Sequence, residues 1–350
     1  MALLARIPVP IEADATVRKV VLTDRYIVAA TVSGWITALD LHALGEGSKT
    51  DLSRYQKTFQ ADRLWDIDCR DDTIATANDN GIVTLWDAQT ASRKADLSGH
   101  VNLVKAVLLP PNQQTIVSGS RDASIIVWDA QSNQRRSTLT GHHERITMLK
   151  VFDNLLVSAS GDGAVRVWDL RTDTCVLNFA GHDNAIVTCG MNDHLTLLAT
   201  GGVSGEIKIW SVNDGTCVAT CQGHTRIPTQ FSNAPGNVLV SAAADGSIRS
   251  WDWATGNSIR ALDAHKGQSV RGFVWAGNLM ISGGNDGVLR VWDRETWEFR
   301  YDLRQHVCQI YQVVQRGTLL AVALLLHGGS SLVELWDLTS MDESASKGGS

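Results

Sequence analysis

Residues 99–129 read GHVNLVKAVLLPPNQQTIVSGSRDASIIVWD and show the local pattern on which the fold depends. The segments Thr115-Ile-Val-Ser-Gly119 and Ser124-Ile-Ile-Val-Trp128 are short and rich in β-branched residues, as strands are. The turn pair Arg121-Asp122 separates them, and the Gly-His pair at the start opens a further strand. Together with the strand that leads into that pair, the stretch predicts a unit of four strands.

The same pattern recurs along the chain at a nearly constant period. Its Trp-Asp ending, replaced once by Trp-Ser, recurs at spacings of 42, 40, 42, 41, 41 and 44 residues, at Trp86, Trp128, Trp168, Trp210, Trp251, Trp292 and Trp336. Its opening pair recurs at Gly99-His100, Gly141-His142, Gly181-His182, Gly223-His224 and Ala264-His265. A period near 41 residues predicts a repeat architecture.

The Gly-His opening and the Trp-Asp ending resemble the WD40 repeat, and the resemblance covers residues from about 16 to 338. It implies an all-β fold, a β-propeller, in which four-stranded blades stack around a channel because no blade buries both faces alone. Trp35-Ile-Thr-Ala-Leu39-Asp40 resembles a further, degenerate ending, and the polar insert Gly45–Ser53 accounts for its longer spacing. We therefore expect eight four-stranded blades, with seven as the alternative if this first unit is decoration.

Closure of the ring is expected to need a strand from the other end of the chain. Only residues 338–350 follow the last Trp-Asp pair, so the eighth blade has no outermost strand at its own end. Leu3–Val9 is apolar enough to supply one, and Pro8 suits only an outermost position. We expect a single propeller over residues 1–338, latched by this N-terminal strand, and a disordered tail over residues 339–350.

The composition disfavours several function classes. The chain has 31 basic and 37 acidic residues and a formal charge of −6, which argues against direct nucleic-acid binding and against anionic membranes. The longest apolar run, Leu319–Leu326, is too short to cross a bilayer, and no secretion signal is visible, so we expect a cytoplasmic or nuclear protein. The six cysteines show no metal-binding spacing, and we expect them to be reduced and mostly buried.

The regular repeats carry a histidine, a serine, an aspartate and a tryptophan that can hydrogen-bond to one another when buried. A histidine between an aspartate and a serine would suit catalysis, but the set occurs in four repeats and an active site is normally single. We therefore expect structural networks that satisfy buried polar groups. The sets are His100, Ser118, Asp122 and Trp128; His142, Ser158, Asp162 and Trp168; His224, Ser241, Asp245 and Trp251; and His265, Ser282, Asp286 and Trp292.

In WD40 propellers, two positions of each repeat point to the top surface of the ring, where partners bind. The position at the start of the innermost strand gives Arg18, Trp65, Lys105, Thr147, Val187, Thr229, Arg271 and Tyr311. With the position beside the turn aspartate and the nearby loops, the partner-binding candidates are Arg18, Arg63, Trp65, Lys105, Arg121, Arg145, Arg226, Arg271 and Tyr311. Arginine binds phosphate or carboxylate through two parallel donors, so the set predicts an anion-binding face, with scattered surface charge as the alternative. The two aromatic members are either anchors for a peptide or packing residues.

A closer resemblance concerns the third repeat. Val117–Asp129 resembles the third repeat of the F-box/WD-repeat substrate receptors of SCF-type ubiquitin ligases. That group has eight blades, a latch strand and a last repeat with a long turn, as Gly328–Asp337 suggests here. We find no helical F-box segment in this chain, so we expect either a fragment of a longer protein or a stand-alone propeller of similar ancestry.

The receptors of that group grip a phosphorylated Ser/Thr motif with a cluster of arginines. Arg121 matches one of these clamp positions, and Lys105 matches another that is arginine in the family. Gly81 falls where a third arginine would stand, and Arg63 or Arg145 would have to compensate for it. The resemblance implies recognition of phosphorylated peptides, with weaker grip on a dianion where arginine is replaced or missing.

We expect a non-catalytic protein-interaction scaffold that recognises phosphorylated or acidic peptide motifs, as a ubiquitin-ligase substrate receptor does. The alternatives are a structural subunit of a nuclear or RNA-processing complex without phosphate recognition, and an enzyme propeller. The enzyme is disfavoured because no nucleophile, zinc-hydrolase or phosphate-binding motif occurs. We expect protein or peptide partners and no cofactor, metal, membrane or small-molecule substrate. The sequence leaves the partner and the oligomeric state open.

Overall fold

Eight sheets of four antiparallel strands build the molecule. The computed structural model describes residues 2–9, 16–42, 56–111, 114–305 and 307–339, and strands β1–β32 lie within these ranges. The predicted insert Gly45–Ser53 and residues 340–350 of the predicted tail lie outside the described residues.

The first two strands of each blade lie nearest the central channel. The innermost strands of blades 1 to 8 are β2 (Val17–Leu22), β6 (Leu64–Arg70), β10 (Val104–Leu108), β14 (Ile146–Phe152), β18 (Ile186–Met191), β22 (Pro228–Ala234), β26 (Val270–Ala276) and β30 (Gln309–Arg316). The second strands are β3 (Tyr26–Thr31), β7 (Thr73–Asn78), β11 (Thr115–Ser120), β15 (Leu155–Ser160), β19 (Leu197–Gly202), β23 (Val238–Ala243), β27 (Leu279–Gly284) and β31 (Leu319–Leu325).

The other two strands face outward. The third strands, which carry the Trp-Asp ending, are β4 (Trp35–Asp40), β8 (Ile82–Asp87), β12 (Ile125–Asp129), β16 (Val165–Asp169), β20 (Ile207–Ser211), β24 (Ser247–Asp252), β28 (Leu289–Asp293) and β32 (Ser331–Asp337). The outermost strands are β5 (Gln56–Gln60), β9 (Arg93–Ser98), β13 (Arg135–Leu139), β17 (Thr174–Phe179), β21 (Cys217–Cys221), β25 (Ser258–Asp263), β29 (Phe299–Arg304) and, for blade 8, β1 (Ala2–Pro8).

The ring is closed by both the inner and the outer strands. Each innermost strand contacts the next one, and β30 of blade 8 contacts β2 of blade 1. At the outside, β1 pairs antiparallel with β32, and Glu334 in the middle of β32 is only 1% exposed beside Arg6 of β1 and Arg304 of blade 7. The prediction of eight blades latched by the N-terminal strand is therefore confirmed, and the seven-bladed alternative is wrong.

Apolar side chains fill the spaces between blades. Eight buried clusters occur, one between each pair of neighbouring blades, including one that joins β1, β31 and β32 to blade 1. The second strands are buried on both faces, which explains why β3 (YIVAAT) and β11 (TIVSGS) read as continuous small or apolar runs. The outermost strands alternate or are exposed instead, because only one of their faces meets a neighbour.

Each blade has two ends with different loops. At the top end, the loop before the innermost strand meets the turn between the second and third strands, as where Arg121 N donates to Leu103 O at 3.0 Å. At the bottom end, the hairpin after the innermost strand meets the turn before the outermost strand, as where Arg294 N donates to Asn278 O at 2.9 Å. The ring therefore offers partners two separate loop surfaces.

Candidate protein-binding surface

Every innermost strand departs from regular pairing at one position near its top end. In blade 3, for example, the pairing with the second strand shifts register between Val104 and Ala106, which leaves Lys105 as the extra residue. A β-bulge of this kind bends the strand and redirects the side chain of the extra residue. The bulged residues in the eight blades are Arg18, Trp65, Lys105, Thr147, Val187, Thr229, Arg271 and Tyr311. They are the eight residues that the repeat pattern predicts at the start of the innermost strands.

Five of the predicted residues converge at the top of blades 1 to 4. A pocket of about 190 Å³ is lined by Trp65, Leu103, Lys105, Arg121, Arg145 and Ile146. The Nζ of Lys105 lies 4.1 Å from the centroid of the Trp65 ring, and Cζ of Arg18 lies 5.1 Å from it. Both cations thus interact with one indole. The pocket combines this aromatic wall with the positive charges of Lys105, Arg121 and Arg145, and Arg18 lies against the same indole without lining the pocket. We call it the blade 1–4 pocket.

In the described part of the chain, none of Arg18, Lys105, Arg121 and Arg145 forms an ion pair with a carboxylate. Burial, followed by the charge of Arg18, lowers the pKa of Lys105 to about 8, and Arg145 adds to this effect against the opposing charge of Asp66. A bound anion would relieve the repulsion and favour the protonated lysine. The pocket is therefore suited to a phosphate or carboxylate group.

Hydrogen bonds fix Trp65 in this pocket. Its indole Nε1 donates to Oδ1 of Asp79, and its backbone oxygen accepts a bond of 2.9 Å from Nε of Arg18. Arg63 lies on the other side of the same aspartate, with its Nε 3.8 Å from Oδ2, and does not line the pocket. Of the two residues predicted to compensate for Gly81, only Arg145 lies in the pocket.

Gly81 occupies a position that an arginine does not fit. Its φ is +81°, and a Cβ added there would lie 2.9 Å from the carbonyl oxygen of His100. Both the backbone conformation and the close approach of that oxygen favour glycine. An arginine could not occupy this position without a shift of the loop.

The remaining top-face candidates lie on other blades and do not join the pocket. Arg226 donates from Nη1 to Ala244 O at 3.1 Å, and Arg271 donates from Nε to Oδ1 of Asn285 at 2.6 Å. Tyr311 is half-buried against the apolar cluster between blades 8 and 1. The predicted anion-binding face is thus one local cluster rather than a ring of charges, because Thr147, Val187 and Thr229 occupy the equivalent positions in between.

Two acidic residues that the sequence analysis missed lie below the pocket on β6. Oδ2 of Asp66 accepts a bond of 3.1 Å from Val107 N, and Oδ2 of Asp68 accepts one of 2.8 Å from Leu109 N. Because the innermost strands have no partner strand on the channel side, these carboxylates satisfy backbone donors of the next blade. Burial raises the pKa of Asp68. The signal in the sequence is the alternation of aspartate with apolar residues in Trp65-Asp-Ile-Asp-Cys69.

The predicted polar networks join the second and third strands of a blade to two of its top loops. In blade 3, His100 lies 2.8 Å from Oγ of Ser118 and 3.0 Å from Oδ2 of Asp122, while Trp128 donates to the same Oγ at 2.8 Å. The blade 6 set (His224, Ser241, Asp245, Trp251) and the blade 7 set (His265, Ser282, Asp286, Trp292) make the same bonds. Each serine oxygen thus bridges a histidine and a tryptophan.

In blade 4 the network is incomplete, contrary to the sequence analysis. His142 and Trp168 both bond Oγ of Ser158, at 2.8 and 2.9 Å, but Nδ1 of His142 lies 3.8 Å from Oδ2 of Asp162 and has no hydrogen-bond partner. Two features accompany the gap: the residue two positions after the aspartate is Ala164, which supplies no hydroxyl, and Arg166 donates to Gly141 O at 2.9 Å and not to the aspartate. Burial lowers the pKa of His142 to about 4.

Blade 5 has a network of its own that the sequence analysis missed. Nε2 of His182 lies 2.7 Å from Oγ1 of Thr200, and Trp210 donates to this oxygen at 2.8 Å. The carboxylate comes from Glu206, whose Oε2 lies 3.4 Å from Nδ1 of the histidine. Ser204 occupies the turn position where other blades have aspartate, and Thr200 occupies the position of their serine. The repeat pattern therefore did not identify this network, because its carboxylate comes from Glu206, two residues later.

The fold and its repeating networks define a β-propeller in which each sequence repeat corresponds to one blade. Five segments match the family model described as "WD domain, G-beta repeat", at residues 91–129, 133–169, 173–211, 215–252 and 256–293, together more than half of the chain. The chain therefore belongs to the WD40 family. Propellers of this family are generally non-catalytic scaffolds that bind other proteins.

Solved structures show the same fold. The crystal structure of the computationally designed Ika8 protein matches with a TM-score of 0.79 and 23% identity, covering 95% of this chain and 100% of that chain. At this identity the similarity concerns the fold alone. No curated protein matches the chain, so no homologue supports the closer resemblance to the F-box/WD-repeat receptors.

Among the described residues, no helix has the length and hydropathy to cross a bilayer, and no group of three His, Cys, Asp or Glu side chains is placed to hold a metal ion. All six cysteines are free. Cys175, Cys217 and Cys308 are exposed, so the expectation of mostly buried cysteines holds for only half of them, because two lie on outermost strands and one in a top loop.

Proposed function

We propose that this chain is a non-catalytic receptor that binds acidic or phosphorylated peptide segments of other proteins in the blade 1–4 pocket. The observation that carries the proposal is the grouping of Lys105, Arg121 and Arg145 with Trp65 in one pocket, with Arg18 against the same indole and no ion pair formed by these four basic residues among the described side chains. The role resembles that of a ubiquitin-ligase substrate receptor, and such a receptor would act in the cytoplasm or nucleus.

The pocket supplies two kinds of interaction to a peptide. Arg121 and Arg145 come from the top loops of neighbouring blades, so one anionic group can bond to both guanidinium groups. Trp65 is half-buried, and the part of its ring left exposed can pack against an apolar part of the ligand, in the manner of aromatic anchors at protein interfaces. A phosphate carries close to two negative charges, so we expect phosphorylation to strengthen binding over a carboxylate.

The test compares phosphorylated and unphosphorylated versions of an immobilised peptide library on the wild-type protein and on two double variants. Lys105→Glu/Arg121→Glu reverses two charges in the pocket. Arg226→Glu/Arg271→Glu reverses two charges on the same face of blades 6 and 7, outside the pocket, and serves as the matched control. We expect phosphopeptides to bind the wild type and the control, and to bind the pocket variant at least about 30-fold more weakly.

Circular dichroism and thermal melting establish that each variant is folded. Equal phosphopeptide affinity in the two double variants, or no binding of any phosphopeptide to the wild type, would contradict the proposal. In the second case the basic cluster is ordinary surface, and partners must be sought by affinity capture.

A further inference from the structure

A second cavity lies at the opposite end of the ring, between the bottom ends of blades 6 and 7. It is a groove of about 500 Å³, whose lining includes Ile259, Arg260, Trp275, Arg294, Glu295 and Trp297. Ile259 is an exposed aliphatic side chain, at 50% exposure, and both tryptophans are half-buried. The groove therefore presents apolar surface on the face away from the blade 1–4 pocket.

Trp297 adopts a backbone conformation that disfavours it. Its φ is +63°, in the turn that joins the third strand to the outermost strand. The equivalent residues of blades 2 to 6, each four positions after the last residue of the third strand, are Ala91, Asn133, Asp173, Gly215 and Gly256, all small or turn-forming and all at positive φ. A bulky aromatic in this region is an outlier, and such strain is concentrated at functional sites. The fold therefore tolerates strain to hold an indole at the groove.

Two arginines of the groove have no acidic partner. Cζ of Arg294 lies 5.0 Å from the centroid of the Trp275 ring, and its Nη1 donates to Gly277 O at 3.2 Å. Arg260 donates to the backbone oxygen of Glu295. Neither guanidinium forms an ion pair with any described carboxylate, whereas Arg300 in the neighbouring strand is paired with Asp293 at 2.7 Å.

Contacts on the edge and on the face of the ring fix the orientation of Trp275. Its Nε1 donates to Oγ of Ser232 at 3.0 Å, so the indole edge is satisfied and its face is stacked with Arg294. Arginine stacked on an aromatic ring keeps its donors available at the edge of its plane. The groove thus combines apolar walls with two arginines suited to carboxylates and a single acidic residue, Glu295, so its lining carries a net positive charge.

We propose that this groove binds an extended peptide of a partner protein in which one aromatic or large aliphatic side chain is flanked by acidic residues. The apolar side chain packs between Ile259 and Trp297, and the carboxylates bond to Arg260 and Arg294. The choice of ligand follows from charge complementarity, since two unpaired arginines persist here in a protein of net charge −6. The site is separate from the blade 1–4 pocket, so one molecule can hold two partners at once.

The probe is the fluorescein-labelled peptide Glu-Asp-Phe-Asp-Glu, compared with versions in which alanine replaces the phenylalanine or lysine replaces every acid. Affinity is measured by fluorescence anisotropy, and the indole N–H resonances of the ¹⁵N-labelled protein locate the bound peptide. The Trp297 resonance is assigned by its loss in Trp297→Gly. We expect the acidic phenylalanine peptide to shift this resonance and to bind at least about tenfold more tightly than either comparison peptide.

Two variants and one matched control test the location. Glycine suits the φ of position 297, as it does at Gly215 and Gly256, so Trp297→Gly removes the indole without disturbing the turn. Arg294→Glu reverses one charge, and Arg171→Glu reverses one in the corresponding bottom turn of blade 4. We expect each groove variant to weaken binding about tenfold and the blade 4 control to leave it unchanged.

Equal binding by Arg294→Glu and Arg171→Glu would overturn the proposal, as would tighter binding of the lysine peptide or no binding of the acidic peptide below about 1 mM. If Trp297→Gly does not fold, Arg294→Glu decides alone. Lys105→Glu/Arg121→Glu is expected to retain this binding, which separates the groove from the pocket at the top.

Discussion

Blades 3 and 4 are neighbours with the same four polar residues at the same repeat positions, yet only blade 3 forms a complete network. In blade 3, Ser124 Oγ donates to Oδ1 of Asp122 at 2.6 Å and lies 3.2 Å from Nδ1 of His100. Blade 4 has Ala164 at this position, and its histidine and aspartate stay 3.8 Å apart. The difference teaches that the carboxylate needs a fifth residue to hold it against the histidine.

The other two sets support this interpretation. In blade 6, Ser247 Oγ donates to Asp245 at 2.7 Å and lies 3.0 Å from Nδ1 of His224. Blade 7 has no hydroxyl there, but Nη1 of Arg290 lies 2.5 Å from Oδ2 of Asp286 and donates to it. The supporting residue is thus a serine in two blades and an arginine in a third. Blade 4 has Arg166 at the position equivalent to Arg290, but its Nη2 donates to Gly141 O at 2.9 Å and not to the aspartate.

The first prediction is a pH dependence of stability that is stronger for the histidine of blade 4 than for that of blade 3. Burial depresses the pKa of folded His142 to about 4, while the unfolded chain keeps the ordinary value of 6.5. The unfolded state therefore takes up the proton first, so the contribution is fully present above pH 6.5 and is lost as the pH falls from 6.5 to about 4. Between pH 7 and pH 4.5, urea denaturation should show a loss of unfolding free energy about 2 kcal/mol larger in the wild type than in His142→Gln.

The control for this experiment is His100→Gln in blade 3. Burial also lowers the pKa of His100, but the charge and hydrogen bond of Asp122 act against that shift. We expect this variant to flatten the pH profile less than His142→Gln does. If the unfolding free energy of the wild type and of His142→Gln changed equally with pH, the incomplete network of blade 4 would not be holding a neutral histidine.

Removal of the carboxylates should have unequal effects in the two blades. Asp122 accepts bonds from His100 Nδ1, from the backbone nitrogens of Val101 and Ser124, and from the Ser124 hydroxyl. Asp162 accepts bonds from the backbone nitrogens of His143 and Ala164, and its histidine Nδ1 stays 3.8 Å away. We expect Asp122→Ala to lower the unfolding free energy by about 3 kcal/mol and Asp162→Ala by about 1.5 kcal/mol, measured by urea denaturation at pH 7. Equal losses would mean that the fifth residue contributes nothing.

The smallest expected effect comes from exchanging the fifth residue itself. Ala164→Ser offers blade 4 the missing hydroxyl and should raise the unfolding free energy by about 1 kcal/mol, whereas Ser124→Ala should lower it by about 1 kcal/mol. The same Ala164→Ser change should raise the pKa of His142, which histidine NMR titration measures. A destabilised Ala164→Ser protein would show that the turn of blade 4 cannot bring its aspartate to the histidine.

The sequence predicts the fold well because the fold is periodic. Trp-Asp endings such as Trp128-Asp129 fix the third strands, and Leu3–Val9, with Pro8 at its end, identifies a strand suited only to the outside of a blade. The bulged residues of the innermost strands also follow from the period. The strand endings and the bulged residues repeat in every blade, so one regular repeat predicts their positions in all eight blades. The latch strand is predicted from its own local sequence.

The site is less predictable because it depends on departures from the period. The meeting of Arg18 with Trp65, and of Trp65 with Lys105, joins three blades and depends on side-chain direction, which spacing does not specify. The carboxylate of Glu206 takes the role of the turn aspartate but lies at another position in the repeat, so a search for the regular pattern does not find it. The conformation of Trp297 shows only in the backbone, because its neighbours in sequence match an ordinary turn.

The pairing of β1 with β32 has a mechanical consequence. Ala2 lies opposite Asp337 and Pro8 opposite Leu332, so the N-terminal end of one strand and the C-terminal end of the other lie side by side. A force that pulls these two ends apart loads the hydrogen bonds of the pair one after another, as in unzipping, and not all together as in shear. Under tension between its ends, the propeller is therefore expected to open first at this seam, while blades 1 to 7 remain intact.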